Sequence, residues 1–413
     1  MAVIKAFQAV RPKKGLEQLI AALPYDVYNR QEAKAAVQGA PLSFLNIDRA
    51  ETGLADTVDI YSDEVYERAA SLYQQRKAEG SFIKEEKPCY YLYELTMDGR
   101  TQTGIVGCAS IDDYTNGVIK KHENTRADKE QDRIRHVDTL SAQTGPIFLA
   151  YRKNQILSQI IDETKKKDAL YDFTSEDGIR HRVFLIDDAA QIELIEKTFA
   201  QIQQIYIADG HHRCASAVKV GYKRREENKG YTGKEEFNYF LSVLFPDEEL
   251  VIMDYNRVVK DLNGLSKEVF LEKLREKYAV SELEEEKAKT CPKQKGTTYM
   301  YLDDQWYQLV YDEEKRKNDP VEGLDVSVLQ QEVLAPILGI LDPKTDKRID
   351  FVGGIRGMEE LKRRVHTDCA VAFAMHPTSI QELFTVADAQ KLMPPKSTWF
   401  EPKLRSGLFI HEI

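Results

Sequence analysis

The chain has 413 residues, of which 42% are hydrophobic and 9% aromatic, so it can bury the cores of folded domains and is not a disordered protein. At about 150 residues per domain, this length predicts two or three domains, or one core with large insertions. Acidic residues outnumber basic residues by 68 to 58, and the net charge of −10 argues against general nucleic-acid binding, which needs a basic face.

The sequence also indicates where the protein works. Its N-terminal segment has no apolar core typical of a signal peptide, and no stretch approaches the roughly 20 apolar residues of a membrane span. The five cysteines lie far apart and form no CxxC pair, which predicts reduced thiols and neither a disulfide scaffold nor a structural zinc site. We therefore expect a cytoplasmic protein without a membrane partner.

The first half of the chain alternates predicted helices and strands. Residues 62–80 have apolar side chains at helical spacing and end in a glycine suited to a helix C-terminus. Asp98-Gly99 separates two β-rich runs and predicts a hairpin, because both central residues of such a turn need positive φ. Residues 183–186 predict a strand, and Asp188 is placed to cap the helix that follows it.

A strand, a tight turn and a helix N-terminus are predicted to meet near residue 209. Residues 204–208 form a short apolar run that predicts a buried strand, and the residues from His211 onward have helical character. Helix starts of this kind bind anions. Residues 223–236 are highly charged and predict a solvated loop, and two strands are predicted within residues 238–255.

The pattern of predicted helices and strands changes near residue 256. This change predicts an N-terminal domain over residues 1–255 and a C-terminal lobe over residues 256–413. In this lobe we predict a helix over residues 266–279, a hairpin over 297–311, a helix over 325–338 and a strand over 369–374. Hairpins are frequent throughout, so an α+β or mixed α/β fold is favoured over a doubly wound parallel sheet. Neither a P-loop nor a GxGxxG fingerprint occurs.

The turn at residues 209–213 carries the strongest functional signal. Gly210 permits a tight turn, and the amides after it can direct N–H groups at an anion. His211, His212 and Arg213 add donors suited to phosphate. Asp209 is able to hold a metal or to orient a histidine. The alternative is that Asp209 only caps the helix and the basic residues are exposed to solvent.

A second candidate lies in the segment Lys-Lys-His-Glu-Asn-Thr-Arg at residues 120–126. It places the Glu123 carboxylate beside the His122 imidazole, a combination that can act as a general base or as a metal ligand. The alternative is a solvated run of charges, which is common in acidic proteins. No metal-ligand spacing such as HExxH occurs, so the sequence leaves the identity of any metal open.

A third candidate lies near the C-terminus, in residues 393–404. Lys396, Ser397 and Thr398 provide a cation and two hydroxyls side by side, which are donors suited to phosphate or carboxylate. The prolines around them keep the segment out of a regular strand. The segment is also predicted to pack Trp399 and Phe400 on the core as a strap, and the two interpretations are compatible.

Four motifs together resemble a widespread bacterial and archaeal family catalogued only as a domain of unknown function: PYDVY, HENT, ADGHHR and MPPKSTWFEPKLRSGL, with FAMHPTSIQELF in support. The DGHHR stretch alone is similar to the signature of the ParB/sulfiredoxin superfamily, which includes the free-serine kinases. In those kinases a glycine-histidine-arginine turn starts a helix at the nucleotide phosphates. The resemblance implies a ParB/sulfiredoxin-like core with large insertions and a C-terminal α/β lobe.

The resemblance also implies a function. It points to a nucleotide-dependent phosphotransferase acting on free L-serine or phosphoserine, with Mg²⁺ and ATP or ADP as cofactors. Glu123 is then the predicted base toward the serine hydroxyl, and His122 and Asp209 are further catalytic candidates. The predicted phosphate-binding residues are Gly210, His211, His212, Arg213, Lys396, Ser397 and Thr398, and the predicted substrate contacts are Asp26, Arg126 and Lys403.

Other functions remain open at this point. One is a phosphoserine phosphatase-like hydrolase, in which Glu123 or His122 activates water. Another is a ParB-like nucleotide-binding regulator, although the net charge and the absence of a clear basic helix make DNA a poor partner. A scaffold role would leave three phosphate-suited clusters without a purpose. The expected partners are a nucleotide and a small phosphorylated metabolite or amino acid, and a homo-oligomer is compatible with the sequence.

Overall fold

A computed structural model describes all residues from Met1 to Ile413, which form two compact units. The first unit contains Met1–Leu250 and Pro402–Ile413, and the second contains Val251–Glu401. The division therefore follows Leu250. Residues 402–413 belong to the first unit, whereas the sequence predicts that they belong to the C-terminal lobe. No helix combines the length and the apolar character needed to cross a bilayer.

Twenty-one strands account for the sheets of both units. In chain order they are β1 (Ile4–Lys5), β2 (Val10–Pro12), β3 (Phe82–Lys84), β4 (Tyr90–Met97), β5 (Arg100–Ser110), β6 (Ile119–Lys120), β7 (Ala142–Gln143), β8 (Ile147–Tyr151), β9 (Tyr171–Thr174), β10 (Arg180–Ile186), β11 (Ile205–Asp209), β12 (Tyr239–Pro246), β13 (Ile252–Met253), β14 (Tyr255–Val259), β15 (Tyr278–Leu283), β16 (Thr297–Leu302), β17 (Gln305–Tyr311), β18 (Ile349–Gly353), β19 (Val371–Ala374), β20 (Trp399–Phe400) and β21 (His411–Glu412).

Thirteen α-helices accompany these strands. They are α1 (Glu17–Ile20), α2 (Arg30–Val37), α3 (Leu45–Asp48), α4 (Asp63–Ala78), α5 (Ile111–Thr115), α6 (Ala127–Leu140), α7 (Gln155–Thr164), α8 (Ala189–Phe199), α9 (His211–Glu227), α10 (Lys267–Arg275), α11 (Asp325–Leu329), α12 (Gly357–Thr367) and α13 (Ile380–Asp388). Helices and strands alternate in both units, so the predicted mixed α/β class is confirmed.

The first unit is built on a nine-stranded sheet with the order β6-β11-β8-β12-β5-β4-β10-β9, to which β1 adds by pairing with β5. Most neighbours are antiparallel, and the pairs β6–β11 and β8–β12 are parallel. Helix α9 buries Cys214, Ala217 and Val218 in the same core cluster as Ile207 of β11 and Leu149 of β8. The turn before α9 is therefore anchored to the centre of the sheet.

Several predicted elements of this unit are confirmed. Strands β4 and β5 form the predicted hairpin, in which Asp98 and Gly99 have φ values of 51° and 77°. The helix predicted over residues 62–80 is α4. Asp188 caps α8, since its Oδ1 accepts a hydrogen bond from the Gln191 amide at 2.9 Å. These elements are specified by local signals, because turn and cap residues act over a few positions.

The loop predicted over residues 223–236 is wrong in its first part, because α9 continues to Glu227. Its last turn is held by ion pairs to other helices: Lys223 and Arg224 pair with Asp138 of α6, and Arg225 pairs with Asp112 of α5. Cations in the last turn also complement the helix dipole. Local charge density alone thus does not end this helix.

The second unit contains a six-stranded antiparallel sheet with the order β15-β17-β16-β19-β14-β18. The hairpin predicted over residues 297–311 is β16 and β17, and the strand predicted over 369–374 contains β19. The helix predicted over 266–279 is too long, since it ends at Arg275 and Tyr278 starts β15 opposite Tyr311. The helix predicted over 325–338 changes after Leu329 into a π-helical segment, Gln330–Leu334.

Candidate functional site

The site predicted at residues 209–213 lies where a central strand of the first unit passes into a helix. β11 ends at Asp209 and α9 begins at His211, as the sequence predicts. Gly210 joins them with φ 91° and ψ 33°, in the left-handed region that glycine adopts without strain. Gly210, the N-cap residue, has no side chain with which to cap the first N–H groups of this 17-residue helix. The helix start is therefore suited to an anion.

His122 lies beside this helix start because of how two strands pair. β6 and β11 run parallel, with Ile119 opposite Ile205. The carboxyl ends of parallel neighbours meet at one edge of the sheet, so the residues that follow them come together there. His122 follows β6 and His211 follows β11. Their ring centroids are 4.5 Å apart and their planes are perpendicular.

Glu123 lies close to both His122 and His211. One potential ligand atom from each of His122, Glu123 and His211 lies within 4.8 Å of the other two. The histidines are only 1% and 7% exposed, whereas Glu123 is partly exposed. The Nε2 atom of His211 is buried and has no hydrogen-bond partner. The structure thus brings three residues from two separate motifs into one cluster, which we call the His-Glu cluster.

Burial controls the charge of both imidazoles in this cluster. Burial lowers the pKa of His122 from 6.5 to about 4, although a hydrogen bond to the Ile207 backbone and the charge of Asp209 oppose the decrease. Burial also lowers the pKa of His211 well below its usual value, and His122 contributes to the decrease. Both rings are therefore uncharged at neutral pH. A phosphate at this turn would meet neutral rings rather than imidazolium cations.

Asp209 lies between two cations. Its Oδ2 is 3.5 Å from Lys403 Nζ and 3.5 Å from Arg213 Nη2. Burial by itself would raise the pKa of Asp209, but the charges of Lys403 and Arg213 outweigh burial and hold this pKa well below its usual range. Asp209 is therefore ionised at neutral pH. Lys403, a predicted substrate contact, is thereby placed at the turn.

Arg213 is held by the protein rather than exposed to solvent. Its Nη1 donates to the Pro146 carbonyl at 2.6 Å, and its side chain is only 11% exposed. The guanidinium folds back across the turn, so a Cβ added at Gly210 would lie 3.1 Å from Arg213 Nε. Phosphate binding by Arg213, as predicted, would require Nη1 to exchange its hydrogen bond to the Pro146 carbonyl.

His212 connects the helix start to the HENT segment. The backbone N–H of Arg126 donates to His212 Nε2 at 2.9 Å, so this ring nitrogen is the acceptor. The Ser216 hydroxyl donates to the His212 carbonyl at 2.7 Å. The exposed guanidinium of Arg126 pairs with Asp128 at 2.8 Å. The Arg126 backbone is therefore fixed near the site, and the substrate contact of its side chain stays a prediction.

Asp26 is exposed and lines a cavity whose polar walls the sequence analysis did not identify. In this cavity the Arg133 guanidinium lies 3.9 Å from the ring centroid of Tyr25 and 2.8 Å from the Asp132 carboxylate. Another cavity contains Tyr25 and Arg133 as well, and it extends to Arg213. Asp26 is thus linked to the turn at α9 through shared cavity walls.

The missed residues belong to α6, whose charged sequence resembles a solvent-exposed run. Glu130, Asp132, Arg133 and His136 are all buried. Burial lowers the pKa of His136 to about 4, and Arg133 adds to this effect. A usable signal was present, because residues three and four apart lie on one face of a helix. The charge composition of α6 alone does not predict that this face is buried, because burial depends on contacts with residues elsewhere in the chain.

Lys396, Ser397 and Thr398 belong to the second unit. Within it, the Ser397 hydroxyl donates to the Pro394 carbonyl at 2.7 Å, and the Lys396 carbonyl accepts from Arg257 Nη2 at 3.1 Å. Lys396 has a φ of 57°, so this segment is a tight turn. The packing interpretation of the segment is therefore visible in its hydrogen bonds, and phosphate binding by these residues stays a prediction.

The second half of this segment packs as predicted within the same unit. The Trp399 ring lies edge-on to Tyr255, with centroids 5.0 Å apart, and a Cβ added at Gly353 would meet the Trp399 ring at 2.8 Å. Trp399 and Phe400 form β20, which pairs with β13.

Comparison with known protein families identifies one match, over residues 4–327, to the family described as "Protein of unknown function (DUF1015)". The chain belongs to this family. The predicted resemblance is confirmed, and the matched residues contain the PYDVY, HENT and DGHHR motifs of this DUF1015 chain. The C-terminal motif lies beyond the matched residues. No curated protein is significantly similar to the sequence.

Several solved structures are similar to the chain at low sequence identity. They include SbnI with a C-terminal truncation from Staphylococcus aureus, at 11% identity and a TM-score of 0.37, covering 72% of this chain and 82% of SbnI. A free serine kinase in complex with AMP has 14% identity and a TM-score of 0.35, covering 73% and 90% of the two chains. A conserved hypothetical protein from Pyrococcus furiosus has 15% identity and a TM-score of 0.35, covering 73% and 94%.

Proposed function

We propose that this protein binds a nucleotide at the turn before α9 and transfers a phosphoryl group between that nucleotide and free L-serine. The observation that carries the proposal is the position of Glu123, whose carboxylate belongs to the same cluster as His211, the first residue of α9. A potential base therefore lies next to a helix start suited to phosphate. Phosphoryl transfer to a hydroxyl needs these two features side by side.

The phosphate contacts in this proposal come mainly from the backbone. Gly210 supplies no side-chain cap, and we propose that the N–H groups of the first turn of α9 donate to phosphoryl oxygens, whose negative charge the helix dipole favours. Lys403 lies at the same turn and adds a side-chain donor. His212 is proposed to donate through Nδ1, since its Nε2 accepts from the Arg126 backbone N–H. Arg213 supports the turn through Pro146 and Asp209 and is a positioning residue in the structure as it stands.

Mg²⁺ with ATP or ADP is the proposed cofactor pair. Magnesium prefers oxygen ligands and is usually bound through one or two carboxylates together with substrate phosphates. Asp209 fits this need, because its pKa is held low and its side chain is 36% exposed. When bound, the ion would neutralise charge on the phosphates. The role of the chain itself is to keep Asp209 ionised through Lys403 and Arg213.

The remaining predicted residues complete the proposal. Glu123 removes the proton from the serine hydroxyl. The neighbouring His122 keeps the Glu123 carboxylate in position within the His-Glu cluster. Asp26 and Arg126 are proposed to contact the amino acid. Phosphate binding by Lys396, Ser397 and Thr398 stays a proposal, and the hydrogen bonds of Lys396 and Ser397 within the second unit support a packing role as well.

The direct test incubates the purified protein with L-serine, Mg²⁺ and either ATP or ADP, and measures phosphoserine by mass spectrometry. We expect phosphoserine with at least one of the two nucleotides. A parallel reaction with phosphoserine and no nucleotide measures released phosphate, which is the product of the hydrolase alternative.

The outcomes separate the functions considered for this site. Phosphoserine formation supports the kinase. Phosphate release without nucleotide supports the hydrolase and contradicts the kinase. Nucleotide binding without either product contradicts both enzymes and favours a nucleotide-binding regulator. The absence of nucleotide binding at millimolar concentration contradicts the whole proposal.

A further inference from the structure

The His-Glu cluster has the composition of a transition-metal site. It offers two imidazole nitrogens and one carboxylate, with potential ligand atoms within 4.8 Å of one another. Two histidines and one carboxylate with an open position are a recurrent donor set for Zn²⁺ and other divalent transition metals. Magnesium, by contrast, prefers an all-oxygen environment. The donor set therefore differs from the one that the nucleotide cofactor needs.

The geometry needs only a small adjustment to hold such an ion. With metal–ligand bonds of about 2.0–2.2 Å, the ligand atoms of a tetrahedral ion are about 3.4 Å apart. Atoms that already lie within 4.8 Å would close by little more than an ångström. Glu123 is partly exposed and follows a two-residue strand, so it can make this movement without disturbing the sheet.

Two further observations point to a ligand at this position. The buried Nε2 of His211 has no hydrogen-bond partner, and an unpaired buried polar atom is unfavourable unless something binds to it. His122 makes a hydrogen bond to the Ile207 backbone. Metal-binding histidines usually make such a contact through the second ring nitrogen, which orients the ring toward the ion.

We propose that His122, Glu123 and His211 bind one divalent transition-metal ion such as Zn²⁺, at a site distinct in chemistry from the Mg²⁺–nucleotide site. The ion would use the Glu123 carboxylate as a ligand. Since the proposed function assigns the same carboxylate as base, occupancy by Zn²⁺ and turnover exclude each other if that function is correct. The metal site itself does not depend on the proposed function.

The test measures metal binding directly, without nucleotide or serine. The full-length protein is stripped with chelator and titrated with Co²⁺, followed by visible d–d absorption, and with Zn²⁺, followed by calorimetry. We expect one ion per chain, and binding should persist in millimolar Mg²⁺. His211→Ala and His122→Ala should each weaken Zn²⁺ binding at least about 100-fold, because even second-shell changes cost about 10–100-fold.

His366→Ala is the matched control. His366 is an exposed histidine next to the Asp304 carboxylate in the second unit, so this variant loses a histidine–carboxylate pair elsewhere in the chain. It should bind Zn²⁺ like the unmodified protein. Circular dichroism checks that each variant is folded. Failure of the unmodified protein to bind Co²⁺ or Zn²⁺ overturns the inference, and so does equal binding by a folded His211→Ala variant.

The same protein distinguishes this inference from the proposed function. Zn²⁺ binding in a protein that makes no phosphoserine even after chelator treatment and resupply of Mg²⁺ supports the metal site and contradicts the kinase. Phosphoserine formation in a protein that binds no Zn²⁺ supports the kinase and overturns the metal site. If both hold, Zn²⁺ should inhibit turnover.

Discussion

The first unit contains two buried histidine clusters that differ in how their polar atoms are used. Around His181, the Nδ1 atom contacts the Tyr93 hydroxyl at 2.8 Å and the Nε2 atom contacts the Ser175 hydroxyl at 2.9 Å. Arg405 reaches the same Ser175 hydroxyl at 3.2 Å and pairs with Asp177. In the His-Glu cluster, by contrast, Nε2 of His211 is buried without a partner.

This difference distinguishes a histidine that stabilises the fold from a histidine that is able to bind a ligand. A buried imidazole with both nitrogens bonded is satisfied, and its network specifies one arrangement of the fold. A buried imidazole with an unpaired nitrogen keeps a binding capacity that the protein does not use on itself. The Arg405 network therefore fastens residues 402–413 to the first unit, whereas the His-Glu cluster is the place to look for ligands.

The largest expected effect is on turnover at the His-Glu cluster. Glu123→Gln should lower phosphoserine formation about 10²–10⁴-fold, because the amide cannot accept the hydroxyl proton. Nucleotide affinity should stay unchanged, since the helix start is intact. Turnover and affinity are measured by mass spectrometry and calorimetry. Glu193→Gln, an exposed change on α8, serves as the control, and full activity in Glu123→Gln would place the base elsewhere.

The next effect is on stability at the His181 network. Tyr93→Phe removes the hydroxyl that contacts His181 and leaves a buried nitrogen unpaired. We expect the free energy of unfolding to fall by about 1–3 kcal/mol, with nucleotide binding unchanged. Urea denaturation measures the loss. A variant as stable as the unmodified protein would show that this network contributes nothing to the fold.

A similar effect is expected from pH at the same network. Burial, followed by the charge of Arg405, lowers the pKa of His181 from 6.5 to about 3. Below pH 6.5 His181 is protonated in the unfolded chain but stays neutral in the folded protein. The free energy of unfolding therefore falls as the pH falls. Between pH 7 and pH 5 this histidine should account for a loss of about 2 kcal/mol. His181→Gln should lose that much less over the same range, and parallel curves for the two proteins would contradict the assignment.

The smallest expected effect is on stability at the His-Glu cluster. His211→Leu replaces the unpaired imidazole with an apolar group, which removes an unsatisfied buried atom. The free energy of unfolding should therefore change by less than about 1 kcal/mol or rise slightly. Urea denaturation measures this difference beside Tyr93→Phe. A loss as large as that of Tyr93→Phe would mean that His211 is structural as well.

Much of the fold is predictable because its signals are local. The Asp98-Gly99 hairpin and the strand–turn–helix unit at Gly210 depend on residues within a few positions of each other. The cluster of His122 with His211 is not predictable in this way. It depends on the parallel pairing of β11 with β6, and β6 is only two residues long, too short to carry a periodic pattern.

The buried face of α6 and the position of Arg213 were missed for a related reason. A charged residue in a sequence is expected to be exposed to solvent. Its burial becomes visible only when the folded structure shows the groups that contact it. Arg133 is buried because Asp132 and the Tyr25 ring surround it, and Arg213 because the Pro146 carbonyl accepts from it. The Tyr25 ring and the Pro146 carbonyl lie far from these arginines along the chain, so no local rule identifies them as partners.

The discontinuity of the first unit has a consequence for biosynthesis. Residues 402–413 leave the ribosome after the entire second unit, yet they supply Lys403 to Asp209, Arg405 to Asp177 and strand β21 to β7. Domains generally fold as they emerge during translation. Here the nascent first unit must wait, with the ion pairs of Asp209 incomplete, until its last residues are made. A ribosome stalled before residue 402 would hold a chain in which Asp209 lacks Lys403 and Asp177 lacks Arg405.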